Sequence, residues 1–130
     1  MAKNQIDMVM SALTEVTEKV IKKITLDTHA NLIAATPVDL GWARANWIPA
    51  IGTPVTSPTG TPGGYSQSAQ LAGIASVATS YTLPRGKVFI SNNVKYITKL
   101  NEGSSRQAPA GFVQNAISKA VTIDLKSLSS

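Results

Sequence analysis

The chain lacks cysteine altogether and has one histidine and seven aromatic residues among its 130. Without cysteine there are no disulfides and no thiolate to act as nucleophile or metal ligand, and His29 cannot build a zinc site unaided. Sparse aromatics leave few platforms on which nucleic-acid bases could stack. No long apolar run is present. The segment MAKNQIDMVMSAL has one early lysine and no extended apolar core, so it reads as neither a signal peptide nor a membrane anchor, and the protein is expected in the cytoplasm when made. There is also no GxSxG elbow, and the Gly-rich stretch 52–64 lacks the Lys and Ser/Thr of a phosphate loop. No cofactor or metal is expected; an acid–base pair would need Asp39 and Glu102 to meet, and two ordinary surface acids explain them as well.

Leu, Ile, Val and Phe together supply 32 of the 130 residues, above the range of disordered chains, so a single folded domain over 1–130 is expected. The net charge of +5 is unevenly spread. Residues 1–79 balance five basic against five acidic side chains, whereas residues 80–130 carry seven basic against two acidic. A basic half fits either nucleic acid or an acidic protein surface. Lys95, Lys99 and Arg106 beside Tyr96 and Phe112 keep a duplex-DNA-binding module as the alternative function.

From Asn4 to Ala35, apolar residues recur at Ile6, Val9, Leu13, Val16, Val20, Ile24 and Leu32, the spacing of one helix face, with Asn4 as cap and Asp7 in the positive first turn. Some 30 helical residues span about 45 Å, more than a small core needs. Either part of the stripe faces a neighbouring subunit, or the helix folds over its own sheet, whole or broken near Thr25. Pro37 ends it. Asp39 and Gly41 suit a turn into a short helical piece at Trp42–Asn46, and Trp47–Ile51 reads as an edge strand because Pro49 cannot donate to a ladder.

Residues 52–64, GTPVTSPTGTPGG, hold three prolines and four glycines and are expected to form a mobile loop. A second helix is expected over Gln67–Tyr81, with Ser66 as cap and Leu71, Ile74, Val77 or Ala78, and Tyr81 inward. Lys87–Ser91 reads as a strand stopped by the Asn92-Asn93 turn, and Val94–Leu100 as a strand extension or short helix. A last helix from Pro109 presents Val113, Ile117, Val121 and Leu125, and residues 126–130 are expected to fray. The fold class is α+β: a small antiparallel sheet flanked by a long N-terminal helix and two shorter ones. His29 is expected on the surface or half buried.

Two segments are too particular for filler: TPVDLGWARANW at 36–47, and NNVKYITKLNEGSSRQAPAGFV at 92–113. Together they resemble the tail-completion and neck protein family of tailed bacteriophages, over roughly Thr36 to Ala120. Thr36-Pro37-Val38-Asp39, Gly41 and Arg44 to Trp47 match its turn and continuation. So does the spacing from the Asn pair through Tyr96 and Glu102-Gly103 to Gln107-Ala108-Pro109-Ala110-Gly111. Leu40 and Trp42 depart from the polar residue and arginine often found there, which weakens a helix cap and leaves Arg44 as the only cation of the run.

The resemblance implies a non-catalytic virion protein, made in the host cytoplasm, that forms a ring at the head-to-tail junction. That ring would hold six copies, or twelve where it docks on a portal. Its partners would be copies of itself, portal or connector proteins and tail-tube proteins, with DNA passing through unread and no membrane involved. The expected interface residues are Arg44, Asn46, Trp47, Asn93, Tyr96, Glu102, Gly103, Arg106, Gln107 and Pro109. Trp47 and Tyr96 would act as amphipathic anchors and the two arginines as forked donors. The competing expectation is that Trp47, Tyr96 and Pro109 pack their own domain.

Overall fold

The computed structural model describes residues 4–103 and 108–128. The first helix, α1, runs unbroken from Gln5 to Ala35, and its first turn is closed by the Asn4 side chain accepting from the Asp7 amide at 2.8 Å. It contains no Gly or Pro to interrupt it. It stops where the Thr36 amide returns to the carbonyls of Leu32 and Ile33 and Pro37 follows. A five-residue helix, α2 (Gly41–Ala45), comes next; Leu40 stands at its cap position and supplies no side-chain hydrogen bond. Then come strand β1 (Ile48–Ile51), helix α3 (Ser68–Ser80), strand β2 (Val88–Ser91), the short α4 (Ile97–Asn101) and helix α5 (Phe112–Leu128). This is the small α+β fold with a two-stranded antiparallel sheet. Ile48 pairs with Ser91 and Pro49 with Ile90, so the proline sits on an edge strand.

Three expectations about helix faces and ends are corrected. In α5 the buried residues are Phe112, Ala116, Ala120 and Asp124, one position ahead of the expected stripe, and Ile117 and Leu125 face outward. Small residues permit a close approach to α1, where the Asn31 amide reaches the Ala116 carbonyl at 3.2 Å. In α3 the inward residues are Gln70 and Val77, while Leu71 and Ala78 are exposed. Helix α5 also continues through Leu128, so the expected fraying at 126 does not begin there; residues 129–130 lie outside the described residues.

Helix α3 lies directly on β1 through Gly73. A Cβ there would overlap the Pro49 carbonyl oxygen and lie 2.9 Å from Pro49 Cδ. Gly73→Ala is therefore expected to destabilise the fold by about 1 kcal/mol in urea titrations, the ~1–3 kcal/mol of overpacking less about 1 kcal/mol of helix propensity. An unchanged midpoint would mean that α3 can lift from the strand at no cost.

The core forms where α1, Trp47 just before β1, α4, the Ala108 turn and α5 converge, with Leu32, Trp47, Leu100, Ala108, Phe112 and Ala116 in contact. Bulky apolar side chains are also left outside it. Ile6, Met8, Val9, Met10, Leu13 and Val16 on α1, and Ile117, Ile123, Leu125 and Leu128 on α5, are all exposed.

Candidate interaction site

The two singled-out segments meet in space. The Asn92 amide donates to the Ala43 carbonyl at 2.9 Å, and the rings of Trp42 and Tyr96 stand edge to face at 6.4 Å. Between them they clasp the 52–64 loop. Asn46, only 1% exposed, donates to the Trp42 and Thr59 carbonyls at 2.9 and 3.1 Å, and its Oδ1 accepts from the Thr59 amide at 2.8 Å. The Trp42 indole N–H also donates to the Thr59 carbonyl, at 2.9 Å, and Asn93 holds the Val55 carbonyl at 2.8 Å. Thr61 and Gly64 bridge each other, and the Tyr65 hydroxyl end lies against Gly41, so that a Cβ there would displace the Tyr65 ring. The segment expected to be mobile has almost no apolar side chains of its own and is tethered through its backbone by side chains from elsewhere.

Trp47, expected as an anchor, and Asn46, expected among the partner contacts, both point inward. Trp47 is 5% exposed, packs edge to face on Phe112 at 6.4 Å, and donates its indole N–H to Thr36 Oγ1 at 2.9 Å. Arg44 is half buried, with its Nε on the Ile33 carbonyl at 3.2 Å. Asn93 and Tyr96 are half buried, while Glu102, Gly103 and Pro109 are exposed. Gly103 adopts φ +99° at the end of α4, a conformation that favours glycine. Arg106 and Gln107 lie outside the described residues. Beyond that gap, Asn101 takes over the start of α5: its Oδ1 accepts from the Val113 amide at 2.9 Å and its carbonyl from the Gly111 amide at 2.7 Å.

Several polar residues that sequence reasoning passed over hold this arrangement. The Trp47 carbonyl accepts two buried donors, Gln70 Nε2 at 3.1 Å and His29 Nε2 at 2.8 Å, and Gln70 also reaches the Arg44 carbonyl at 2.7 Å. His29 is thus buried rather than superficial. Stepping back from Val77 by four and then three residues reaches Gly73 and Gln70, a signal that this face closes on backbone.

Titratable groups are few and serve the packing. Burial holds the His29 imidazole below its ordinary range, opposed by its bond to the Trp47 carbonyl. Asp124, buried between α5 and α1, is pushed up by that burial and then by the neighbouring Asp27, with Lys23 at 3.5 Å pulling the other way. Asp27 itself is held down by its 3.0 Å bond to Lys23. Tyr96 is raised by burial and then by Asp39.

The signs follow from these directions. The contribution of His29 is complete above about 6.5 and is lost as pH falls through its depressed folded value. That of Asp124 is complete below about 3.9 and is lost as pH rises through its raised folded value. Asp27 behaves oppositely to Asp124, losing its contribution as pH falls through its depressed value. Asp124→Asn is therefore expected to raise the Tm relative to the native chain more at pH 8 than at pH 4; equal shifts at both would discard this account.

Among the described residues, no group of three His, Asp or Glu is placed to hold a metal ion, and no helix is long and apolar enough to cross a membrane. Comparison with protein-family models, with curated proteins and with solved structures yields no match.

Proposed function

We propose that this chain is a structural subunit that assembles into a closed ring at the head-to-tail junction of a tailed bacteriophage. The observation that carries the reading is the inversion of its helices. Small and polar residues (Thr25, Thr28, Ala116, Ala120, Asp124) are buried on α1 and α5, while Ile6, Val9, Leu13, Ile117 and Leu125 are exposed. Bulky apolar surface of this kind, on α1 a stripe from Ile6 to Val16, marks a protein–protein contact. The clasped segments at 36–47 and 92–113 carry the family resemblance and support the same role. With Trp47 and Asn46 turned inward, Tyr96, Glu102, Gly103 and Pro109 remain the outward part of the expected interface.

The basic second half favours an acidic neighbour over tight phosphate binding, since a channel through which DNA slides gains little from holding it. The test is the mass of the purified full chain by light scattering and native mass spectrometry, together with imaging of assembled particles. A closed oligomer, six copies by the resemblance, is the expected result. A strict monomer absent from particles would sink the reading, as would strong duplex binding that falls steeply with salt.

A further inference from the structure

Two surfaces left open by this chain's own packing complement each other. The first is the free part of α1. From Asn4 to Thr17 every residue except Thr14 is exposed, a stretch about 21 Å long. Ile6, Val9, Leu13 and Val16 run along it at steps of three, four and three, each more than half exposed. The stretch is a capped, uninterrupted helix, so its exposure is built in.

The second is an apolar furrow along the seam of α1, β2 and α5. Its deeper part, about 210 Å³, is lined by Ile24, Val88, Ile90, Val113 and Ile117. It runs on into a trough of about 440 Å³ that shares Ile24 and Val88 and has Lys87 in its lining. The furrow also holds Thr28, whose hydroxyl is buried and without a hydrogen-bond partner.

We propose that the α1 arm of one copy lies in the α1–β2–α5 furrow of the next copy of this chain. The arm cannot fill its own furrow, because α1 is straight helix through Ala35 with no Gly or Pro at which to fold back. An arm-to-arm coiled coil is the weaker fit. The stripe covers only two heptads, short of the three to four that argue for a coiled coil, and such pairing leaves the furrow open.

Charge agrees. Asn4 to Thr17 holds Asp7 and Glu15, the latter paired with Lys19 at 3.2 Å, and no basic residue, while Lys87 lines the furrow in the half of the chain that carries the whole positive excess. Four half-exposed apolar side chains offer roughly 400 Å² and the furrow a similar area, about 800 Å² together, so the polar flanks must supply the rest of the ~1,200 Å² that a specific interface buries. Arm and furrow are different surfaces, so the contact is head-to-tail and each copy makes it twice. Its closure into a ring, though not the contact itself, rests on the function proposed above.

The test uses the full chain carrying Leu13→Glu or Ile117→Glu, both at exposed positions, with helical circular dichroism and Tm as controls for folding. Val9→Glu and Ile117→Lys form a second pair should either fail to fold. Each variant alone is expected to be monomeric, with association weakened about 100-fold by burial of an unpaired charge. Mixed, the two should form a one-to-one heterodimer and stop there, because the intact arm of the Ile117→Glu chain enters the intact furrow of the Leu13→Glu chain.

A Leu13→Glu chain that assembles like the native one overturns the proposal. So does an Ile117→Glu chain that still assembles when Leu13→Glu does not, since the arm then pairs elsewhere. A native chain that stays monomeric at about 100 μM overturns both this contact and the ring. Heterodimers alongside open filaments of the native chain uphold the contact and overturn the closed ring alone.

Discussion

Trp47→Ala is expected to lower the free energy of unfolding by about 4 kcal/mol, within the range for buried Trp truncations. Three losses combine at this position. The indole is the largest side chain of the core cluster and is 5% exposed, so its removal leaves a cavity beside Leu32, Phe112 and Ala116 that those neighbours cannot close without moving α1 or α5. Its edge-to-face contact with Phe112 disappears. Its N–H no longer reaches Thr36 Oγ1; that hydroxyl keeps its own 2.7 Å bond to the Leu32 carbonyl, so this last loss is the smallest. Urea titration of the full chain measures the effect. A variant of native stability that had lost only assembly would return Trp47 to the role of partner anchor.

Asn46→Ala comes second, at about 3 kcal/mol. The side chain makes three bonds of 2.8–3.1 Å, to Trp42 and twice to Thr59, each worth about 1 kcal/mol net. Unlike the tryptophan, this residue acts at a distance from the core, so its loss has a second signature. With the Thr59 tether gone, the 52–64 loop should be cut faster in limited proteolysis while α1 and α5 stay protected. Asn46→Asp keeps the acceptor but turns a buried carboxylate toward the Trp42 and Thr59 carbonyls, and should cost at least as much. Equal proteolysis of native and Asn46→Ala chains would show that Trp42 and Asn93 hold the loop without it.

Where the sequence spoke clearly, it did so through periodicity and punctuation. The cap at Asn4, the stop before Pro37, the edge position of Pro49 and the strand at 88–91 all follow from local chemistry and stand in the structure. Local chemistry does not say which face of a helix is inward when the largest apolar residues are not the buried ones. In α5 the alanines are buried because α1 passes close, and in α3 Gln70 is buried because the Arg44 and Trp47 carbonyls need donors. Both facts belong to pairs of segments far apart in the chain. The same holds for the 52–64 loop, whose composition says nothing of the Asn46 and Asn93 side chains that tie it. The candidate surface was therefore half legible: the segments were found, but Asn46 and Trp47 within them face the interior.

The pairing of α1 with α5 also orders events during synthesis. Helix α1 finds its main intramolecular cover only in a helix that begins nearly 80 residues later, a lag of roughly 4–16 s at ribosomal speeds. Through that interval Leu32, Thr28 and the whole arm stripe are uncovered together, and the local elements between them, α2 to α4, cannot complete the core without Phe112. Closure is therefore a single late event of high contact order, and folding should be slower than the helix content alone suggests. A nascent chain halted before α5 would leave Leu32 uncovered beside the apolar arm stripe of the same helix, which makes the truncated product the aggregation-prone form of this protein.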